Sequence, residues 1–276
     1  MILLNGKELS DKLYNLFDLK KETAKLVVFT VGDDPASKVY VRNKQRACER
    51  VGIKFENIIL KENTSAEEFS DIIMNKLSED VFTLDYDDYD KYGMILQLPA
   101  PKHLVDMFNT MVPTHFDVDG FGETNFRSVM TTGTATHLPA TPKGIMTLLR
   151  NYNIPIEGKH VVIVGRSNIV GKPLAQMMLK ENATVTVCHS KTENLERITK
   201  TADILVVAAG KPKFINETHI NEGVTIIDVG INKTENGICG DIDFDRVKDK
   251  CYAITPVPGG VGPMTVYSLI ENLINQ

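Results

Sequence analysis

Cysteine is scarce in this chain: four in 276 residues, with no C-x-x-C pair. Cys48, Cys188, Cys239 and Cys251 are spread too widely for a zinc site or a disulfide framework, so they read as buried or free thiols of a reducing compartment. Long apolar runs are also lacking. The strongest, residues 26–31 and 204–209, fall far short of the roughly 20 residues that a membrane-spanning helix needs. Positive charge is in deficit, since 31 Lys and Arg against 36 Asp and Glu give a net charge of −5. No global basic field draws nucleic acid or anionic lipid, although a local phosphate pocket stays open. Residues 1–7 show neither a charged start with a long apolar run nor a cleavage pattern, and the cytoplasm is the expected location. No repeat of fixed period and no low-complexity tract is present.

What the chain does have is a regular alternation of short β-rich runs with helical patterns. Strands are predicted over residues 25–31, 55–60, 93–98, 160–164, 184–188, 204–208 and 224–229. Helices are predicted over 7–17, 36–51, 66–77, 142–151, 171–180 and 264–274. That order specifies an α/β fold with mainly parallel sheets and helical crossovers. Residues 113–139 carry little periodicity, with five threonines between Thr124 and Thr136. An unstructured stretch of that length is expected to be functional or to mark a domain junction. The acidic residues 80–91 read as a solvated loop.

Residues 158–173 form a buried strand, a tight turn and a helix start. Gly165 stands where the strand must turn and Gly171 where the helix packs, so backbone N–H groups there are placed to receive a pyrophosphate. The spacing, G-x-S-x-x-x-G, departs from G-x-G-x-x-G, and an ordinary glycine turn is the competing explanation. The second strand ends in His189-Ser190-Lys191-Thr192 without the carboxylate that would hold a free ribose 2′-hydroxyl. Arg166 with Ser190 or Lys191 would instead suit a 2′-phosphate, which favours NADP over NAD, unless these are plain exposed loop residues. Gly210, Gly230 and Ile231 follow later strands, on the edge where the nicotinamide half of a dinucleotide would be walled.

The first half carries a polar set. Tyr40 and Lys44 stand at i and i+4 on one predicted helix face, an arrangement common on any surface. Gln97 closes a strand stopped by prolines. Asp117-Val118-Asp119-Gly120-Phe121 reads as a turn or helix cap when taken alone, and it lacks the further ligands of a calcium loop. Residues 255–265, T-P-V-P-G-G-V-G-P-M-T, make a rigid wall poor in side chains before the last helix.

Taken together, S-K-V-Y-V-R-N-K (37–44), Q-L-P (97–99), D-V-D-G-F (117–121), G-R-S-N-I-V-G (165–171), D-V-G-I-N (228–232) and residues 255–265 resemble, in order, the motifs of the bifunctional methylenetetrahydrofolate dehydrogenase/methenyltetrahydrofolate cyclohydrolase family. The resemblance implies an α/β folate domain, residues 1–135 and 263–276, facing across a cleft a Rossmann-like NADP domain, residues 136–262. It makes Lys44 the central catalytic residue, supported by Gln97, with Tyr40 stacking beside the folate and Asp119 anchoring the pterin. Gly165, Arg166, Ser167, Ser190 and Ile231 would contact the dinucleotide, and Pro258 and Gly259 the folate. It also implies a homodimer; from the residues themselves, no metal, nucleic acid or membrane is expected to be involved.

The chemistry suits these residue types. Oxidation of the methylene carbon is chiefly a matter of positioning. Hydrolysis of the methenyl product must move protons, which a lysine amine can do once burial lowers its pKa. Two residues depart from the family pattern: Ala140 stands where a cysteine is usual, and Phe116 where a lysine is usual, the latter bearing on the local loop path. Three rivals are a dehydrogenase-only member of the family, a related oxidoreductase of hydroxy or amino acids, and a dinucleotide-sensing module without catalysis. The second would need a basic clamp for a carboxylate, whereas Tyr40, Gln97 and Asp119 suit an uncharged heterocycle.

Overall fold

The computed structural model describes residues 1–17, 24–81, 91–235 and 237–276, so most of the acidic stretch 80–91 lies outside the described residues. By internal packing the chain divides into two compact units. One comprises residues 16–127, 135–140 and 266–276, and the other residues 1–15, 128–134 and 141–265.

The first unit is built on a parallel sheet of β2 (Lys25–Val31), β3 (Lys54–Leu60) and β4 (Tyr92–Leu96), in the order β3-β2-β4. Central β2 reads K-L-V-V-F-T-V and is buried along its five inner residues, as an unbroken apolar run in a parallel sheet requires. Helices α2 (Pro35–Arg50), α3 (Ala66–Val81) and α4 (Lys102–Met111) accompany it. Phe29 meets Phe69 and Phe108 edge-on at 5.2 and 6.2 Å between ring centroids. Each such buried aromatic or aliphatic side chain contributes about 1.5–3 kcal/mol. Helix α4 was not predicted, because its buried face is little more than Leu104 and Phe108, one turn apart.

The second unit holds a six-stranded parallel sheet of β1 (Ile2–Leu3), β5 (His160–Val164), β6 (Thr184–Cys188), β7 (Ile204–Val207), β8 (Thr225–Asp228) and β11 (Ala253–Ile254). Its order is β1-β11-β8-β7-β5-β6, so the winding reverses at β5, between β6 and β7. Crossover helices α7 (Gly171–Lys180) and α8 (Leu195–Thr199) follow β5 and β6, and a small antiparallel hairpin pairs β9 (Asn232–Thr234) with β10 (Gly237–Cys239). The remaining helices are α1 (Gly6–Tyr14), α5 (Glu123–Thr132), α6 (Ala140–Asn151), α9 (Phe244–Val247) and α10 (Val261–Ile274). Strand β1 pairs with β11, so residues 1–15 pack with this unit, and the division between units falls inside α5 and α10. Among the described residues no helix is long and apolar enough to cross a membrane.

The expectation of an unstructured stretch over residues 113–139 is corrected by α5, which runs through its middle. The buried positions of that helix include Asn125 and Val129, one turn apart. A polar residue at a core position breaks the apolar period on which the reading relied. Asn125 is buried because its amide is fully employed: Nδ2 donates to the Thr114 carbonyl at 3.1 Å and to Asp117 Oδ2 at 2.9 Å, while Oδ1 accepts the His137 N–H at 3.2 Å.

Candidate active site

Helix α2 opens with Asp34, whose Oδ2 accepts the Ser37 N–H at 2.7 Å and the Ser37 hydroxyl at 2.8 Å. This cap fixes where the helix starts and therefore which residues face inward. Two turns on, Lys44 is 7% exposed, a burial that a lysine tolerates only with a partner. The partner is Gln97 at the end of β4, whose Oε1 accepts from Lys44 Nζ at 2.9 Å. The Gln97 amide is itself oriented, since Nε2 donates to the Leu98 carbonyl at 2.8 Å and leaves Oε1 for the amine. Burial pushes the Lys44 pKa below its ordinary value, and the charge of Asp119 only partly opposes the shift.

The two aspartates of D-V-D-G divide the labour. Asp117 builds the loop: Oδ1 accepts the N–H groups of Gly120 at 3.1 Å and Phe121 at 3.3 Å, and Oδ2 accepts that of Gly122 at 2.7 Å. Asp119 is spared that work. No hydrogen bond to its carboxylate is seen among the described residues, and burial raises its pKa against the pull of Lys44. Its backbone is held, with its carbonyl accepting the Ala140 N–H at 3.3 Å. Gly120, at φ +72°, lets the chain pass where a Cβ would come within 2.7 Å of the His137 carbonyl oxygen.

Tyr40 lies one turn before Lys44 and is partly buried, which raises its phenol pKa. One turn after Lys44, the Cys48 thiol is buried and pushed up to about 12, so it stays protonated and is no nucleophile at neutral pH. Phe116 is 1% exposed and stacks edge-on with Tyr92 at 5.3 Å, while its carbonyl accepts the Met94 N–H at 2.7 Å. The departure from lysine thus gives a core aromatic that ties this loop to β4. Ala140 is fully buried at the start of α6.

In the second unit, Gly165 follows β5 at φ +137°, and a Cβ there would lie 2.4 Å from the Ala208 carbonyl oxygen. A Cβ on Gly171 would lie 2.1 Å from the Gly165 carbonyl oxygen, so the start of α7 rests directly on the turn. Val170, the N-cap of α7, gives no side-chain cap, but its N–H donates to Ser167 Oγ at 3.2 Å and the Lys172 N–H donates to the Ser167 carbonyl at 3.1 Å. Pro173 has no N–H, which leaves the Gly171 N–H at this helix start for a ligand. Arg166 and Ser167 in this turn, and Ser190 beyond the neighbouring strand β6, are exposed beside the reversal in strand order. That reversal is where open α/β sheets bind dinucleotides, and the residues present fit one. Ile231 is 44% exposed beyond β8. Pro258 and Gly259 lie in the loop before α10, in this same unit, where the Gly259 carbonyl accepts the Lys7 N–H at 2.9 Å. The structure thus brings Lys44, Gln97 and Asp119 together in one unit and places the dinucleotide candidates with Pro258 and Gly259 in the other.

Sequence reasoning missed Asp241. It is fully buried, and its carboxylate accepts the N–H groups of Ala209, Gly210 and Lys211 at 2.6, 2.9 and 2.8 Å. The C-G-D-I-D run around it looks like any turn beside a hairpin, and nothing in its spacing points to the loop after β7. Among the described residues no group of three or more His, Cys, Asp or Glu is arranged to hold a metal ion.

Comparison with known proteins identifies the family. Residues 4–119 match the tetrahydrofolate dehydrogenase/cyclohydrolase catalytic domain, and residues 139–276 match the NAD(P)-binding domain of the same enzymes. The bifunctional protein FolD of Agathobacter rectalis is 47% identical, over 99% of this chain and 97% of its own length. The crystal structure of the bifunctional methylenetetrahydrofolate dehydrogenase/cyclohydrolase of Campylobacter jejuni superposes with a TM-score of 0.90 at 42% identity, covering 100% of this chain and 98% of that one. The Trypanosoma brucei dehydrogenase-cyclohydrolase, solved with NADP and an inhibitor, gives 0.87 at 29% identity, covering 99% and 95%. The chain belongs to the tetrahydrofolate dehydrogenase/cyclohydrolase family.

Proposed function

We propose that this protein oxidises 5,10-methylenetetrahydrofolate to the 5,10-methenyl compound with NADP, then hydrolyses that product to 10-formyltetrahydrofolate, with Lys44 moving the proton of the second step. The observation that carries the assignment is the buried Lys44 amine, held by Gln97 Oε1 and facing the field of Asp119. NADP supplies the hydride acceptor. Gly165, Arg166, Ser167, Ser190 and Ile231 are the residues we assign to hold it, Pro258 and Gly259 are assigned to the folate, and Tyr40 is assigned to stack on the pterin. The functional division into residues 1–135 with 263–276, for folate, and 136–262, for the dinucleotide, is part of the same proposal. A homodimer and a cytoplasmic location are proposed on the family likeness alone.

In the hydrolytic step, water adds to the methenyl carbon and one proton leaves to solvent. The hydroxyl so formed gives its proton to the Lys44 amine as the bond from carbon to a ring nitrogen breaks. The ammonium then protonates that nitrogen, restoring the amine. Such a cycle needs a lysine that is not held permanently charged, and burial of Lys44 provides it. Asp119 accepts hydrogen bonds from the pterin's amino and ring N–H groups. An assay of the purified chain for both steps, with NADP and with NAD, tests the reading. Absence of either reaction with intact folate binding would overturn it.

Two substitutions probe the assignments. Asp119→Ala should weaken folate binding by about 1–3 kcal/mol, the cost of leaving a buried donor unmet. Chelator treatment should leave wild-type activity intact, and a loss reversed by a divalent ion would make Asp119 a metal ligand instead. Arg166→Ala should raise the KM for NADP far more than that for NAD, because only NADP carries the 2′-phosphate. Equal increases would remove Arg166 from that role.

A further inference from the structure

The loops that follow β7 and β8 carry the groups assigned to the nicotinamide end, yet neither is part of a helix or a long strand. Both are fastened from below by acidic side chains. Asp241 Oδ2 accepts the Ala209 and Gly210 N–H groups, and Oδ1 accepts the Lys211 N–H and the Asn232 side-chain amide, the last at 2.8 Å. Asp228, at the end of β8, accepts the Gly230 N–H at 3.0 Å and the Asp241 N–H at 2.9 Å on Oδ1, and the Ile242 N–H at 3.0 Å on Oδ2. Ile231 is therefore exposed between two tethered neighbours, Gly230 on Asp228 and Asn232 on Asp241. The packing leaves no slack: a Cβ on Gly230 would lie 2.3 Å from the Asp241 carboxyl, and one on Gly240 would lie 1.8 Å from Asp228 Oδ2.

A carboxylate with no exposure is costly to bury, and among the described residues no basic side chain pairs with Asp241. Its burial is compensated instead by four N–H groups, from residues 209, 210, 211 and 232. An apolar side chain could fill the space but could not hold two loops in fixed register. We infer that Asp241 is a positioning residue for the dinucleotide site, its carboxylate setting the register of the loops after β7 and β8 against each other. This rests on the functional reading above. The role is specific to the oxidative half of the reaction, because hydrolysis of the methenyl compound consumes no dinucleotide.

The test uses the full-length protein and two assays run side by side. Asp241→Asn keeps one acceptor oxygen and turns an NH2 group toward backbone donors. It should raise the Kd for NADPH and the KM for NADP by at least about 10-fold, as loss of charge-assisted hydrogen bonds does. Hydrolysis of directly supplied methenyltetrahydrofolate should remain within about twofold of wild type. If Asp241→Asn does not fold, Asn232→Ala decides the question. It removes a single tether, and should raise the NADPH Kd severalfold with hydrolysis again unchanged. Wild-type NADPH affinity in the folded variant, or an equal loss of both activities, overturns the inference. A wild-type protein that neither binds NADPH nor oxidises the methylene compound would instead sink the functional reading on which it rests.

Discussion

Lys44→Met should abolish hydrolysis of methenyltetrahydrofolate while sparing part of the oxidation, so that the methenyl compound accumulates during turnover with NADP. The substitution keeps most of the bulk in a site where Lys44 is 7% exposed, and it removes the amine that Gln97 Oε1 holds. General acid–base assistance is worth about 10²–10⁴-fold, which sets the minimum expected loss. Oxidation depends on placing the reacting carbons and survives to the extent that the pocket keeps its shape. The pH dependence offers a second measurement. Burial lowers the Lys44 pKa, so the amine is free of its proton at a pH below lysine's ordinary 10.5, and the hydrolytic rate should rise through that lowered value as pH increases. Lys44→Met should lack that limb. Wild-type hydrolysis by the variant would show that the amine does not carry the proton, and equal loss of both activities with folate binding intact would make Lys44 a shared positioning residue.

The same residues show what a single sequence discloses and what it conceals. Tyr40 and Lys44 share a helix face by spacing alone, and the cap at Asp34 that sets this face is visible in the D-P-A-S run. That Lys44 is buried could not be read from spacing, because burial depends on Gln97 arriving from β4, 53 residues further on. The D-V-D-G run illustrates a different limit. Its turn-forming function and its free carboxylate are both real but belong to different aspartates, and only the hydrogen bonds to residues 120–122 assign the turn to Asp117. Helix α5 escaped notice because its buried Asn125 is satisfied by partners 8 to 12 residues away along the chain. Asp241 escaped because its partners lie up to 32 residues earlier. Local patterns record periodicity and caps well. Buried polar groups record contacts distant in sequence, and those are what shape the site.

Gly171→Ala should eliminate useful dinucleotide binding, although alanine is a better helix former than glycine by about 1 kcal/mol. Gly171 is the first residue of α7, and its added Cβ would lie 2.1 Å from the carbonyl oxygen and 2.7 Å from the carbonyl carbon of Gly165. Both obstructing atoms are backbone, in a turn that cannot retreat, because the Gly165 N–H is bonded to the Cys188 carbonyl at 2.9 Å. A Cβ on Gly165 itself would already press on Ala208. Helix α7 must therefore move away from the turn, and overpacking of this kind costs about 1–3 kcal/mol of stability. The functional cost exceeds that, since the Gly171 N–H and those of the turn before it would receive a phosphate only at hydrogen-bond distance and weaken steeply beyond it. Affinity for NADPH should fall by two orders of magnitude or more, roughly the worth of two hydrogen bonds to a charged group. Hydrolysis of supplied methenyltetrahydrofolate by the folded fraction should persist. A calorimetric titration with NADPH, alongside a thermal melt to confirm folding, separates the outcomes. Undiminished affinity in a folded Gly171→Ala protein would mean that G-x-S-x-x-x-G is an ordinary strand-to-helix turn and that the dinucleotide's phosphates are held elsewhere on the sheet edge.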